Sequence, residues 1–377
     1  MPAKAKVTGV YVQELRAGAA PIVGVPTSVT GFVGAASRGP SNKATRVQSF
    51  ADFDRLFGGL SAKLYLGYAV QHFFANGGSD AWVVRVASKA TGAQIAKCLR
   101  ALDAVPLFNL LVLPGMSDPA ALSAAATYCS TRQAVLIVES PASAATAPQM
   151  AQYVTSGVLP KTDCAAVYFP WINIPDPVHA GQPIAIPPGG AIAGIYARTD
   201  AAQGVWKAPA GQNATLNGVL GLTFNVTDQD NTALTQLAVN CLQVFPGQGP
   251  VVWGARTLLG SDASTSDWKY VPVRRLGLYL ESSLYNGLQW VVFEPNAEPL
   301  WAEIRLNVAG FMQGLFRQGA FQGQRPQDAY LVRCDAQTTT QSDIDQGILN
   351  VEVGFAPVKP AEFIVLKIQV KAAKPPP

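Results

Sequence analysis

The sequence predicts an α/β fold: a doubly wound, mostly parallel sheet domain followed by a C-terminal α+β domain, with extended N- and C-terminal β-arms. Three observations predict it. Apolar runs of strand length at residues 82–87, 107–113, 134–138 and 164–169 alternate with helical segments at 92–103, 118–131 and 147–157, each long enough to cross between parallel strands. Beyond residue 270 the order changes to two long helices and then strands. Both chain ends carry β-prone runs set apart by Gly, Ala or Pro.

Along the chain, residues 7–14 are a short β-prone run containing Val10, Tyr11 and Val12. The stretch 16–26 is rich in residues that stop helices and loosen packing, so the run reads as a strand on a tether. A lone strand cannot satisfy its own N–H and C=O groups and must join a sheet edge, in its own chain or another. Gly31, Gly34 and Gly39 read as positions for turns and close packing. His72 lies in an apolar helical stretch. Pro114-Gly115 stops one strand of the α/β unit and Asp118-Pro119 starts the next helix, so local signals agree with the periodicity. Residues 160–218 hold eight prolines and read as a surface excursion with one helix at 189–202.

The C-terminal helices are expected at 272–289 and 299–318, each with proline in its first turn, where the missing N–H costs nothing. In the second, Leu300, Ile304, Val308, Phe311 and Leu315 recur at helical spacing and form one buried stripe, and Gly319 ends it. Leu349, Val351, Val353 and Phe355 alternate with Asn350, Glu352 and Gly354, the pattern of a strand with one buried face. The last run starts as continuous apolar sequence around Ile364 and finishes with Leu366, Ile368 and Val370 alternating against Lys367, Gln369 and Lys371. That change marks a protruding end that could continue into a neighbour's sheet, with lysines guarding the exposed edge. The expected division is an arm and tether at 1–26, an α/β domain at 27–255, an α+β domain at 256–360, and an arm strand and tail at 361–377.

With 377 residues and 49% hydrophobic composition the chain can fill two or three packed units. A net charge of +4, with Lys and Arg interspersed among acids, argues against a nucleic-acid-binding face. Only 14% of residues are charged, a surface poorer in charge than a free monomer usually carries, so much of it is expected to lie against neighbouring copies. Cys98, Cys129, Cys164, Cys241 and Cys334 form no CxxC pair and are expected to be reduced and buried. Residues 1–6 lack an apolar signal core, and no stretch reaches the roughly 18 uninterrupted apolar residues of a membrane span. Assembly in a cytoplasm without membrane insertion is expected.

A cytoplasmic α/β enzyme is the alternative, because such sheets place ligands at the carboxyl ends of their strands. The residues it requires are missing. Gly31-Phe-Val-Gly34 matches neither the dinucleotide fingerprint nor a phosphate-cradling loop. The two histidines, His72 and His179, accompany no G-x-S-x-G or H-E-x-x-H sequence, and no Cys and His cluster offers a metal site. No catalytic, cofactor-binding or metal-binding residue is therefore assigned.

Several blocks, read together and in order, resemble the contractile tail sheath protein family: GVYVQEL at 9–15, GVWKAPA at 204–210, FPGQGPVVWGARTL at 245–258, DWKYVPVRRL at 267–276, and most of 291–323 and 330–368. The resemblance implies a short-form sheath subunit that polymerises as stacked helical rings around an inner tail tube, with baseplate and tail terminator proteins as further partners. It implies contraction from a metastable extended state without a cofactor, and an α/β domain of subtilisin-like but non-catalytic topology. It also implies exchange of terminal arms between subunits, through Val10, Tyr11, Val12, Val351, Val353, Phe355, Ile364, Leu366, Ile368 and Val370. Trp206 and Lys207 take structural or contact roles. Gln243 and Gln248 depart from the family blocks, which would each carry arginine there.

Overall fold

In the computed structural model, which describes residues 20–62, 64–88 and 90–358 and the backbone of 364–371, the α/β unit opens with strands β1 (Thr30–Ala35) and β2 (Thr45–Val47) and helices α1 (Phe50–Phe57) and α2 (Tyr65–Ala75). Strand and helix then alternate: β3 (Ala81–Val86), α3 (Gly92–Leu99), β4 (Leu110–Val112), α4 (Pro119–Thr131), β5 (Val135–Glu139), α5 (Ala147–Thr155) and β6 (Ala165–Phe169). A small sheet follows, with β7 (Ile172–Asp176) and β8 (Gln182–Ile186), then α6 (Gly189–Gln203) and β9 (Gly221–Leu222). Helix α7 (Asp228–Gln236) leads into the hairpin β10 (Val239–Phe245) and β11 (Gly249–Val252). The main sheet runs β11-β10-β6-β5-β4-β1-β3-β2 and is parallel from β10 to β3, with an antiparallel strand at each edge.

Alternation along the strands feeds two cores. Leu110, Val112, Val135, Ile137, Ala166 and Tyr168 face the layer of α2 and α6. Their neighbours Leu111, Leu136, Val138, Ala165, Val167 and Phe169 face the layer of α3, α4, α5 and α7. Strands covered on both faces read as unbroken apolar runs, which is why these were visible in the sequence. Local signals start the helices as expected: the Asp118 side chain accepts the Ala121 N–H ahead of α4, and Thr91 and Gln94 close a capping box on α3.

Residues 160–218 are not a surface excursion. They contain an interior strand and the buried helix α6, whose residues from Gly189 to Ala197 are all buried. Helix α6 lies against α2 so closely that a Cβ on Gly190 would stand 2.1 Å from the Ala69 carbonyl oxygen, and one on Gly194 2.5 Å from that of Phe73. Five of the prolines cluster around the small β8-β7-β9 sheet: Pro175 and Pro183 pair across β7 and β8, Pro177 opens the turn between them, and Pro187 and Pro188 follow β8.

The C-terminal unit is built on α8 (Val271–Gly287) and α9 (Glu298–Arg317), followed by α10 (Pro326–Ala329), β12 (Tyr330–Arg333), α11 (Gln341–Asp345), β13 (Ile348–Phe355) and β14 (Ile364–Lys371). Leu300, Ile304, Val308 and Leu315 form the buried stripe of α9, with Met312 between the last two and Phe311 only partly buried. They pack on Leu349, Val351, Val353 and Phe355 of the antiparallel β12-β13-β14 sheet.

Helix α8 ties the two units together through polar groups. Arg274 lies 3.0 Å from Asp163 and stacks on Trp268, and Gln133 bonds both Ser282 and Glu281. Arg275 reaches Asp200 of α6 with two bonds of 2.8 and 2.6 Å and sits over the Tyr196 ring, while the Tyr196 hydroxyl pairs with that of Tyr168 on β6. Both charged side chains are almost wholly buried, at 3% and 4% exposure.

The carboxyl ends of β4 and β5, one strand away from the β1–β4 junction where the strand order reverses and doubly wound folds bind ligands, are braced from within. Glu139, at the end of β5, accepts the backbone N–H of Gly115 after β4 at 2.6 Å and that of Gly189 at the start of α6 at 2.8 Å. The chain's own carboxylate thus takes the loop and helix donors that would otherwise face an anion. Burial pushes its pKa up to about 7, against the pull of the two N–H bonds.

Two predictions follow from these buried carboxylates. Asp200→Ala strands a buried guanidinium and is expected to cost about 3–5 kcal/mol, whereas the paired change Asp200→Leu with Arg275→Met costs clearly less; denaturant unfolding measures both. Glu139→Gln leaves one of the two N–H groups facing an amide donor, with an expected loss of about 1–3 kcal/mol. A carboxyl whose native pKa is raised stabilises the fold below its unfolded value and loses that contribution as pH rises through about 7. The wild-type advantage over Glu139→Gln should therefore shrink between about pH 5 and pH 8 in thermal melts; a constant difference would show that Glu139 keeps one protonation state over that range.

Candidate assembly surfaces at the chain termini

The described chain starts at Ala20, and the first ten residues form a strap across the C-terminal helices and α6. Asn307 of α9 grips it twice, donating to the Ala20 carbonyl at 3.0 Å and accepting the Ile22 N–H at 3.2 Å. Ser283 of α8 accepts the Val25 N–H, and the Thr27 carbonyl accepts from Arg275 while its hydroxyl donates to Asp200. Asn109 then accepts the Val29 N–H and brings the chain into β1. Ile22 is buried against Gly287, and a Cβ on Gly24 would stand 1.9 Å from the Tyr279 hydroxyl oxygen. The expected loose tether is thus corrected from Ala20 onward: Gly and Pro let this segment lie close to α8, where side chains more than 170 residues away pin it. Val10, Tyr11 and Val12 lie outside the described residues.

At the other end, β13 is the central strand of its sheet. Its Val351, Val353 and Phe355 side chains are fully buried in the chain's own core. Strand β14 pairs with β13 over eight residues, with Phe355 opposite Ile364, Val353 opposite Leu366, Val351 opposite Ile368 and Leu349 opposite Val370. Glu352 stands opposite Lys367 and Asn350 opposite Gln369. Strand β14 is an edge of this sheet, with β13 on one side. The backbone therefore brings the C-terminal candidates Ile364, Leu366, Ile368 and Val370 into register with the apolar face of β13.

The sequence blocks acquire physical roles. Val205 is buried and Trp206 packs against the C-terminal core, while the Lys207 N–H bonds Gly204 in a turn. In the WGART block, Asn240 of β10 exchanges bonds with the backbone of Arg256, and Arg256 and Lys269 both reach Asp262. The VPVRRL block supplies Arg274 and Arg275. Gln243 is buried in β10 and Gln248 is exposed in the turn to β11. Sequence reasoning missed Asn307, Ser283, Asp200 and Glu139, whose roles depend on partners distant in the chain; the double arginine of VPVRRL was the one available signal.

No constellation for chemistry comes together around the histidines. His72 is buried, and burial lowers its pKa to about 4, which keeps it neutral. His179 stands at the β7–β8 turn with its Nδ1 2.5 Å from Asp176, a buried carboxylate that also accepts the Tyr68 hydroxyl. Among the described residues no group of three or more His, Cys, Asp or Glu could hold a metal ion, and no helix is long and apolar enough to cross a membrane.

Comparison with known proteins matches residues 88–258 to the phage tail sheath protein central domain and 263–371 to the phage tail sheath C-terminal domain. The tail sheath protein of Vibrio phage KVP40 is 28% identical over 182 residues, 48% of this chain and 26% of that protein. A putative prophage major tail sheath protein of Pseudomonas aeruginosa is 28% identical over 183 residues, 47% of this chain and 44% of that protein. The chain thus matches less than half the length of these curated relatives. Among solved structures, the helical sheath of the anti-feeding prophage in its contracted state is 31% identical, with a TM-score of 0.78, covering 97% of this chain and 99% of that one. The sheath of the extracellular contractile injection system PVC, also contracted, is 30% identical at a TM-score of 0.77, over 97% and 98% of the two chains. These relatives are structural sheath proteins and not enzymes. Agreement this close along the whole of both sheath chains, with two adjoining sheath domains recognised between residues 88 and 371, establishes that this chain belongs to the contractile tail sheath protein family.

Proposed function

We propose that the chain is the sheath subunit of a contractile injection particle, and that copies of it stack as helical rings around an inner tube and shorten to drive that tube through a cell envelope. The observation that carries this reading is the end-to-end similarity to sheath chains solved in the contracted state of two such particles. A chain of the anti-feeding prophage baseplate assembly is similar over the same length, which supports contact between the first ring and a baseplate. An inner tube protein and a tail terminator are the remaining partners, and assembly takes place in the bacterial cytoplasm before the particle is released.

The physical reading is a lattice that stores free energy at assembly. Each copy is held in an extended arrangement and relaxes to a better-packed one on release, and small gains per copy sum along the tube. With Glu139 bracing the β4–α4 loop and the start of α6, the α/β unit acts as a rigid body. The terminal strands link the copies: Val10, Tyr11 and Val12 at one end, and Ile364, Leu366, Ile368 and Val370 at the other, add main-chain hydrogen bonds to a neighbour's C-terminal sheet. Each bond contributes about 0.5–1.5 kcal/mol net, so a strand of several holds neighbours together while the bodies rotate.

Deleting residues 1–16, which stops short of the strap, should leave the circular dichroism spectrum and melting temperature nearly unchanged while tube formation seen by electron microscopy is lost or sharply reduced. Tubes that assemble normally and contract without shedding subunits would refute linkage by the N-terminal arm. Full-length tubes are expected to contract in buffer free of nucleotide; a strict requirement for nucleoside triphosphate would refute the stored-energy reading.

A further inference from the structure

Strand β13 leaves little choice about its edge. On one side β12 pairs with only its last four residues, Glu352 to Phe355, whereas on the other β14 pairs with all eight from Ile348 to Phe355. Removing β14 would expose a full row of backbone donors and acceptors beside a wholly buried apolar face. Some copy of β14 must therefore occupy this edge at all times. Within the single chain, its own copy does.

We propose that this self-pairing is a latch that keeps the free subunit monomeric, and that assembly proceeds by trading the chain's own β14 for that of a second copy. The inference rests on the reading that sheath subunits exchange terminal strands. The register of charged, polar and apolar partners across β13 and β14 belongs to the sequence, so another copy's β14 fits as well as the chain's own. The trade then changes few contacts, and its balance is set by local concentration. Eight residues, 356–363, separate Phe355 from Ile364 and include Pro357 and Pro360. A tight two-residue hairpin would hold β14 in place permanently. This connection reaches up to about 30 Å when extended, long enough either to fold back or to cross to a neighbour.

A short connection gives the chain's own strand an effective concentration of about millimolar, so at micromolar protein the latch is closed. A growing lattice end reverses the preference by holding a second β13 within reach. The latch thereby suppresses free polymerisation and favours growth from an existing ring.

The test uses Glu352→Cys with Lys367→Cys, opposite one another across the two strands, in a full-length chain also carrying Cys98→Ser to remove the half-buried native thiol. Oxidised, with the intramolecular bridge confirmed by mass spectrometry and native-like melting, this subunit should stay monomeric where the unbridged protein forms tubes, and reduction should restore assembly. A second variant with sixteen Gly/Ser residues inserted between Lys359 and Pro360 lowers the effective concentration of the chain's own strand about fivefold and should assemble with a shorter lag, at a correspondingly lower protein concentration. If the bridged subunit still assembles, strand exchange through β14 is wrong and the latch falls with it. If bridging blocks assembly but the lengthened variant needs the same lag and concentration as wild type, exchange stands and the latch is refuted. Should the bridged variant fail to fold, the lengthened one alone decides: assembly no easier than wild type overturns the latch.

Discussion

A guanidinium with almost no access to water cannot be left without a partner, and this constraint places the largest parts of the molecule relative to one another. Arg275 comes from α8 in the C-terminal unit and Asp200 from the end of α6 in the α/β unit, while Thr27 from the strap contacts both. If any of the three moved by a few ångströms, a buried charge would lose its bonds. The pair adds little net stability over apolar residues of the same volume; what it adds is intolerance of misplacement. Tyr196 beneath the guanidinium and Tyr168 beyond it extend the same demand to β6. Arginine suits this position because its planar fork engages a carboxylate and a carbonyl at once, which lysine does not.

The architecture is one that elsewhere supports catalysis; here a buried carboxylate near the switch point is engaged by the fold itself. Glu139 satisfies the donors of the β4–α4 loop and of the α6 N-terminus, so the geometry that would gather a ligand instead braces two elements. A body stiffened in this way can transmit rotation without deforming, which a mechanical role requires and a flexible substrate cleft would compromise.

The strands and helices of the α/β unit were legible because both faces of the sheet are covered, so each interior strand is an apolar run whose length alone separates it from a helix. Strand β1, also interior to the sheet, was not. Its Gly31 and Gly34 lie against Leu102, Leu111 and Leu66, and close approach replaced the bulky side chains that mark a strand. Residues 160–218 misled for the opposite reason: proline density suggested a surface loop, while apolar residues all around α6 signalled burial without a stripe. The β10–β11 hairpin was hidden behind a familiar block read as a motif rather than as two strands. At the termini, Leu349, Val351, Val353 and Phe355 declared their face by alternation. The clasp on the strap was invisible because it depends on Asn307, Ser283 and Arg275 meeting backbone atoms 248 to 287 positions away.

The order of those clasps along the strap defines a load path. Tension arriving from the N-terminal side meets the two bonds of Asn307 first, then the single bond at Ser283, and only then the charged node at Arg275 and Asp200. Bonds arranged in sequence along a peeled segment yield one after another, whereas bonds loaded side by side fail together. The outer clasps therefore work as a fuse: a sudden pull is spent on neutral hydrogen bonds that can re-form, and the charge pair that fixes the subunit's shape is the last to feel it.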